Sequence, residues 1–180
     1  GNVNAGPLNL NRRWPLGAFA TLIGQLVARG VGPIVLIGGG SETAYVADLM
    51  RLLPDRTGVY DVSGKLSIRQ LILLFARAEL YLGNDSGPLH LAESLGKRTV
   101  SFFGPETPRL YGPSGPEHLV FYKELPCSPC LNVYNQKSSD CQDNQCLKQI
   151  TVEEVAAGIA PVVAALEARG AHARTDEAQA

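Results

Sequence analysis

The amino-acid sequence predicts an α/β fold in which helices cover both faces of a parallel sheet. Short β-rich runs alternate along the chain with amphipathic runs of helical length, as in sheets whose parallel strands are joined by helices. Glycine or asparagine turns follow several of the strand-like runs and lead into the next helical run, which is the pattern of βα units. The 180 residues fit one domain, and an apolar content of 45% is enough to bury an ordinary core.

Individual elements follow from apolar periodicity and from residues that start helices or form turns. The opening helix carries four apolar residues on one face, namely Phe19, Leu22, Ile23 and Leu26. Gly38-Gly39-Gly40 ends a compact apolar strand, and Ser41 opens the helix that follows. The predicted strands cover residues 33–37, 59–62, 80–82, 99–103 and 119–122 after a strand stub over 2–4, and the predicted helices cover residues 15–28, 41–53, 67–75, 88–95 and 151–166.

Three segments are predicted to lack regular structure. Residues 104–116 are rich in proline and glycine and form a long structured loop, a kind of segment that often holds ligands. Residues 127–146, which include every cysteine of the chain, form an irregular segment. Residues 169–180 are predicted to be a flexible tail, so the domain itself covers residues 1–168.

Composition and charge disfavour several functions. A formal net charge of -1 and a pI of about 6.3 disfavour binding to nucleic acid or to an anionic membrane surface. No apolar run approaches the roughly 20 residues that a membrane helix needs, and no signal-peptide pattern opens the chain. We therefore expect a cytoplasmic domain, and its start at Gly1 without a methionine suggests an excised or processed piece.

The most informative motif is Asn84-Asp85-Ser86-Gly87-Pro88-Leu89-His90, which lies where a predicted strand ends and a helix begins. Open α/β sheets bind ligands at such ends, where free backbone N–H groups and the positive end of the helix dipole converge. Gly87 would let a phosphate approach the main chain closely, so a pyrophosphate would fit here. In the alternative interpretation, Asp85 or Ser86 only caps the helix, Pro88 starts it, and His90 is a structural hydrogen-bonding residue.

Two other segments are candidates for contacting the same ligand. Gly38-Gly39-Gly40-Ser41-Glu42 is a second strand-to-helix turn, where Glu42 could accept hydrogen bonds from a ribose diol; a tight turn with a first-turn acid is the alternative. The segment does not match G-x-G-x-x-G, which disfavours an oxidoreductase. Arg12 and Arg13 precede the first helix and could bind phosphate bidentately, or form a solvated pair beside a packed Trp14.

The four cysteines form a C-x2-C-x10-C-x4-C pattern, and they are Cys127, Cys130, Cys141 and Cys146. In a reducing cytosol this spacing favours a tetrahedral zinc site, with disulfides or free thiols as the alternatives. Four thiolates would leave no open coordination position, so any such metal would be structural and not catalytic.

In combination, four motifs resemble glycosyltransferase family 9, the heptosyltransferases. They are Arg12-Arg13-Trp14-Pro15, Leu36-Ile37-Gly38-Gly39, the D-S-G-P-x-H-L-A segment from Asp85 to Ala92, and Phe103-Gly104-Pro105. The resemblance covers about residues 2–166, and Cys127-Ser128-Pro129-Cys130 is similar to a pattern found in part of the family. It implies the C-terminal half of a GT-B fold, in which two Rossmann-like domains face each other across a cleft and the C-terminal one holds the sugar donor.

The resemblance also implies roles for single residues. Asp85, His90 and Arg12 are the candidate catalytic residues, and Arg12 stands where relatives usually carry a lysine that touches the donor phosphate. Glu42 would meet the nucleoside ribose. The other candidate binding residues, around the pyrophosphate and sugar or in the loop that follows, are Gly39, Asn84, Ser86, Gly87, Pro88, Leu89 and Thr107.

The implied reaction is inverting transfer of a sugar from a nucleoside-diphosphate sugar of the ADP-heptose type to a lipid-linked acceptor, such as lipopolysaccharide core at the inner face of the inner membrane. No cofactor is expected for catalysis. Helix N-termini and arginine would stabilise the leaving diphosphate, while the carboxylate that removes the acceptor proton would belong to an N-terminal, acceptor-binding domain. The alternatives are another GT-B enzyme of nucleotide sugars and a noncatalytic interaction module held together by its cysteines.

Overall fold

The computed structural model describes residues 1–4 and 10–177, and for Leu10 and residues 169–177 it describes only the backbone. The strands are β1 (Ile34–Leu36), β2 (Val59–Asp61), β3 (Leu80–Asn84), β4 (Arg98–Phe103) and β5 (Leu119–Tyr122). The helices are α1 (Leu16–Ala28), α2 (Thr43–Leu52), α3 (Ile68–Arg77), α4 (Gly87–Ser94), α5 (Pro108–Tyr111), α6 (Gln145–Lys148) and α7 (Val152–Glu177), and short 3-10 turns cover Leu10–Arg12, Gly40–Glu42 and Val133–Asn135.

The strands form one parallel sheet in which residues 1–3 lie in the middle. β1 pairs with β2, and β3 pairs with β4, which pairs with β5, all in parallel. The first residues join the two groups, because the Gly1 carbonyl accepts from the Ile37 N–H at 3.1 Å and the Asn2 N–H donates to the Leu82 carbonyl at 2.8 Å. The order is therefore β2, β1, residues 1–3, β3, β4, β5, which is the order of Rossmann folds and confirms the predicted fold class.

This strand order fixes where a ligand is expected. β1, the next strand along the chain, lies on one side of residues 1–3. Their neighbour on the other side is β3, which the chain forms only after β2. Open α/β sheets bind ligands outside the carboxyl ends of the strands at such a change of direction. The carboxyl ends that meet there are Asn4 and Asn84, and the Asn84 side-chain amide donates to the Val3 carbonyl at 2.9 Å.

Apolar side chains cover both faces of the sheet. On the face covered by α1, α2 and α7, Trp14 is fully buried and stacks on Phe102 with ring centroids 4.3 Å apart, while its indole N–H donates to the Ile150 carbonyl at 2.8 Å. On the face covered by α3 and α4, Phe75 packs edge-on against Tyr81. Neighbouring residues of one strand face opposite sides, as expected for pleated strands.

Three elements differ from the sequence-based expectation. The loop predicted over 104–116 contains α5, because Pro108 fits the first helical position and the Thr107 hydroxyl accepts from the Arg109 N–H at 3.3 Å. The irregular segment contains α6 and a 3-10 turn that is capped by Asn132. The closing helix extends to Glu177, across the boundary predicted at residue 168, and Glu167 forms an ion pair with Arg29 at 2.8 Å; residues 178–180 lie outside the described part.

An apolar cavity of about 510 Å³ opens at the amino ends of the strands, between β1 and β3. It is lined by Phe19 and Leu22 from α1 and by Leu74 and Phe75 from α3, among others. The cavity lies at the sheet edge opposite to the one that carries the predicted ligand site. Among the described helices, none is both long enough and apolar enough to cross a membrane.

Candidate functional site

Asn84 fixes the corner between β3 and α4. The Asn84 side chain is fully buried, its oxygen accepts from the Trp14 N–H at 2.8 Å, and its amide donates to the carbonyls of Val3 and Asn4. These bonds tie the loop before α1 to the end of β3. The Asn84 side chain therefore positions the surrounding loops, and a contact between Asn84 and substrate stays a prediction.

The alternative interpretation of the same motif, a helix capped by Asp85 or Ser86 and started by Pro88, fits the positions of Ser86 and Pro88 but not the hydrogen bonding. Ser86 occupies the N-cap position of α4, but no side-chain cap hydrogen bond is made there. Its hydroxyl donates to the Asn84 carbonyl at 3.1 Å, accepts from the Asn2 amide at 3.0 Å, and lies 3.3 Å from the hydroxyl of Tyr81. Burial raises the pKa of Tyr81 to about 12, so this buried polar group stays neutral.

The first turn of α4 leaves its backbone open toward solvent at Gly87. A side chain added at Gly87 would meet no heavy atom within 4 Å, so the space beside the main chain is free, and Pro88 has no N–H to satisfy. The Leu89 side chain is fully buried and its N–H donates to the Ser86 carbonyl at 3.0 Å, so a contact between Leu89 and a ligand stays a prediction. Leu89 is thus a core residue, and ligand contacts at this turn would use the backbone around Gly87.

Arg12 and Asp85 form the charged centre of the corner. The Arg12 Nη2 atom donates to the Asp85 carbonyl at 2.6 Å and lies 2.8 Å from the Oδ2 atom of the Asp85 carboxylate. The Asp85 side chain is only 4% exposed, and the half-exposed His90 imidazole places its Nε2 atom 3.9 Å from Oδ1. Burial raises the pKa of Asp85, Arg12 opposes that shift, and the nearby carboxylate of Glu106 adds to it.

The raised pKa of Asp85 predicts how stability depends on pH. Between the unfolded and the folded pKa the folded chain binds more protons, so the contribution of Asp85 to stability is present at low pH and is lost as pH rises. Asp85→Asn cannot titrate at this position. We therefore expect the stability of Asp85→Asn relative to the wild type to increase as the pH is raised from about 4 to about 7.

Urea unfolding at the two pH values measures this gain. Asp143→Asn is a control of opposite sign, because hydrogen bonding to Lys148 lowers the pKa of the exposed Asp143 carboxyl. A stability difference between Asp85→Asn and the wild type that is equal at both pH values would contradict the assignment.

The glycine turn after β1 lies next to the same corner. The Glu42 carboxylate accepts from the Gly39 N–H at 2.7 Å, and its other oxygen lies 3.9 Å from Arg13, whose guanidinium stacks 4.3 Å from the Tyr45 ring centroid. Glu42 therefore closes the tight turn in this structure, and its contact with a ribose stays a prediction. Gly38 has a steric role, since a side chain there would come within 2.8 Å of the Asn4 amide.

Glu106 and Lys137 were not predicted from the sequence, although both lie at the site. Glu106 is 2% exposed and follows Gly104-Pro105 directly; its Oε1 atom lies 2.9 Å from the Lys137 ammonium. Lys137 also lies over the Tyr111 ring at 4.4 Å. The predicted binding residue Thr107 is half-buried, and its hydroxyl caps α5, so a contact between Thr107 and a ligand stays a prediction.

Buried polar atoms without a hydrogen-bond partner converge on this corner. Such atoms are rare in folded proteins and, where several meet, they indicate a place for solvent or a ligand. The Asp85 Oδ2 and Glu106 Oε1 atoms each have a cation at ion-pair distance, but not in hydrogen-bond geometry. Among the described residues, the unsatisfied buried side-chain atoms include Asn4 Oδ1, Arg12 Nε, Arg13 Nε, Asp85 Oδ2 and Glu106 Oε1.

The cysteine segment, residues 127–146, has free thiols and packs against the site. Among the side chains described, those of residues 1–4 and 11–168, no three from Cys, His, Asp or Glu are placed to hold a metal ion; the zinc site at Cys127, Cys130, Cys141 and Cys146 stays a prediction. Burial raises the pKa of Cys146 to about 11, and the neighbouring cysteines add to the shift. The backbone N–H groups of Cys130 and Leu131 donate to the Pro105 carbonyl at 2.9 Å and 2.8 Å.

Comparison with characterised proteins agrees with this geometry. The chain is 27% identical over 147 residues to lipooligosaccharide heptosyltransferase 2 of Campylobacter jejuni. The aligned region covers 80% of this chain and 44% of that protein. It is also 27% identical over 99 residues to lipopolysaccharide heptosyltransferase 2 of Escherichia coli, which covers 54% of this chain and 28% of that protein. The chain thus spans less than half the length of these relatives.

Solved structures show the same fold. ADP-heptose lps heptosyltransferase II of E. coli superposes with a TM-score of 0.74 at 21% identity, over 92% of this chain and 46% of that one. E. coli heptosyltransferase WaaC with ADP superposes with a TM-score of 0.66 at 22% identity, over 89% and 43%. The sequence model of glycosyltransferase family 9 (heptosyltransferase) matches residues 8–139, which is well over half of the chain. The chain therefore belongs to glycosyltransferase family 9, the heptosyltransferases.

Proposed function

We propose that the chain is the donor-binding half of an inverting glycosyltransferase that moves heptose from ADP-heptose to lipopolysaccharide core or a related lipid-linked acceptor. The observation that carries the proposal is the corner after β3, where the open backbone at Gly87, the Arg12 guanidinium and the buried Asp85 carboxylate meet. We infer the sugar and the acceptor from the family's characterised members, which are named as heptosyltransferases of lipooligosaccharide or lipopolysaccharide.

In this proposal the diphosphate of the donor lies at the N-terminus of α4. Negative charge accumulates on the diphosphate as the bond to the sugar breaks, and donors already in place stabilise it without reorganisation. The Gly87 N–H and the positive end of the α4 dipole supply one part of this stabilisation. Arg12 supplies another part through its planar guanidinium, which is always charged and can donate two parallel hydrogen bonds. Protein cations fill this role, so the proposed transfer needs no metal ion.

Carboxylates at the site are assigned to hydroxyl groups of the donor. A carboxylate repels a diphosphate but accepts hydrogen bonds from a sugar or ribose diol. Asp85 would orient the sugar and hold Arg12, with His90 beside it, while Glu42 would exchange its bond to the Gly39 N–H for the ribose of the nucleoside. In the proposed enzyme, the N-terminal half would bind the acceptor and supply the base that removes its proton. The enzyme would act at the cytoplasmic face of the inner membrane.

Calorimetric titration of the chain with ADP, UDP and GDP tests the proposal. We expect ADP to bind about tenfold or more tightly than UDP, because a site built around a purine nucleoside leaves polar groups unpaired with the wrong base. A preference for UDP would point to a different nucleotide-sugar enzyme, and binding of none of the three would favour an interaction module. The isolated chain should bind donor without turnover, so measurable transferase activity of the chain would contradict the placement of the base.

A further inference from the structure

The cysteine segment carries a lysine into the charged corner. Lys137 and the preceding Gln136 both adopt left-handed backbone conformations, with φ values of 55° and 54°. The Lys137 N–H donates to the Asn132 carbonyl at 3.0 Å, and the Asn135 amide donates to the Cys130 carbonyl at 2.7 Å. Such backbone conformations cost energy for residues with side chains, and here the loop's own hydrogen bonds hold them in place.

The segment is fastened to the two loops that hold the charged corner. The Asn11 amide donates to the Cys141 carbonyl at 2.9 Å, and the Asn144 amide donates to the Arg13 carbonyl at 3.1 Å. Together with the bonds from Cys130 and Leu131 to Pro105, these contacts fix the position of the segment relative to Arg12 and Glu106. Hydrogen bonds to neighbouring loops therefore fix the backbone that carries Lys137.

The Lys137 ammonium has donors to spare. Its side chain is 46% exposed, whereas its partner Glu106 is 2% exposed, so the ammonium lies between a buried carboxylate and solvent. An ammonium has three N–H donors, and its contact with the Glu106 Oε1 atom is at ion-pair distance without hydrogen-bond geometry.

Counting charges shows why a diphosphate site would need this lysine. Arg12, Arg13 and Lys137 balance the three carboxylates of Asp85, Glu42 and Glu106. Without Lys137, two cations would face three carboxylates, and the site would repel an anionic ligand. With Lys137 present, the formal charge of these six groups is zero before the dipole of α4 is added.

We propose that Lys137 binds the diphosphate of the donor as a second cation beside Arg12, and that Glu106 is the positioning residue that holds Lys137 there. This inference rests on the proposed function and extends it to a residue of the cysteine segment. It also gives the segment a role that requires no metal, namely to hold a phosphate-binding cation beside Glu106.

Titrations of Lys137→Met with ADP and with adenosine test the inference, with NMR detection so that weak adenosine binding is measured. We expect the affinity for ADP to fall about tenfold, as for loss of one charged hydrogen bond, and the affinity for adenosine to stay unchanged. Lys137→Arg, which keeps the charge, should recover most of the ADP affinity. Lys148→Met is the matched control, because Lys148 lies in α6, just after the cysteine segment, and pairs with the exposed Asp143.

Three outcomes would overturn the inference in different ways. ADP affinity within twofold of the wild type in Lys137→Met would show that Lys137 does not contact the diphosphate. An equal loss of ADP and adenosine affinity, with a lower melting temperature than that of Lys148→Met, would show a purely structural ion pair. No binding of ADP to the wild-type chain would remove the proposed function and this inference together.

Discussion

Replacing Trp14 with alanine is expected to lower the free energy of unfolding by about 3–5 kcal/mol, as is typical of deleting a buried aromatic side chain. Trp14 is fully buried between Phe102, on which it stacks, and Phe19, whose ring it meets edge-on at 4.9 Å. The deletion would also leave the Ile150 carbonyl without the indole N–H that it accepts. Since Ile150 precedes α7, the loss would loosen the closing helix as well as the core.

Urea unfolding followed by far-UV circular dichroism measures this change. Trp14→Phe separates its two causes, because it keeps an aromatic ring against Phe102 but leaves the Ile150 carbonyl unpaired, at a cost of about 1–3 kcal/mol. Tyr134→Ala is the control for removing an aromatic side chain, since Tyr134 is 96% exposed. A loss below about 1 kcal/mol in Trp14→Ala would mean that Trp14 is not a core residue.

Replacing Arg12 with methionine is expected to weaken ADP binding by about 2–3 kcal/mol, which is about 30- to 150-fold. Methionine keeps much of the side-chain volume and removes the charge. The variant loses a cation of the proposed site and also leaves the buried Asp85 carboxylate without its arginine partner. An unpaired buried carboxylate would add repulsion toward the diphosphate, so both effects act in the same direction.

Calorimetry with ADP measures the loss, and two further variants interpret it. Arg12→Lys keeps the charge but not the forked geometry, so its ADP affinity should fall between those of the wild type and Arg12→Met. Arg109→Met removes an exposed arginine that pairs with Glu124, and it should bind ADP like the wild type. Unchanged ADP affinity in Arg12→Met would show that Arg12 serves only to neutralise Asp85.

Much of the fold could be predicted from the sequence because local patterns specify it. The apolar face of α1, the cap at Ser67 and the glycine turn after β1 each depend on residues a few positions apart. The strand order could not be predicted in the same way, since the place of residues 1–3 between β1 and β3 depends on pairing between distant segments. The short helix α5 was missed because proline-rich composition indicates a loop, and one helical turn that starts at Pro108 has little periodicity to detect.

The site was predicted in part, for a related reason. The motif around Asp85 marks a strand-to-helix corner, and Arg12 was predicted to bind phosphate; the ion pair between the two was not predicted. The motif does not indicate which of its side chains face the interior, and the structure shows that those of Asn84 and Leu89 do. Lys137 was missed because only the path of the cysteine segment brings it to Glu106.

Mapping the bound nucleotide onto backbone amides is the most direct test of the central claim, that the corner after β3 holds the donor diphosphate. In ¹H–¹⁵N spectra of the labelled chain, addition of ADP should shift the amide signals of Asp85, Ser86 and Gly87. These shifts should be larger than the shifts that saturating adenosine causes at the same residues. Saturable ADP binding that leaves these amides unmoved, or that shifts only residues around the cavity between β1 and β3, would contradict the claim.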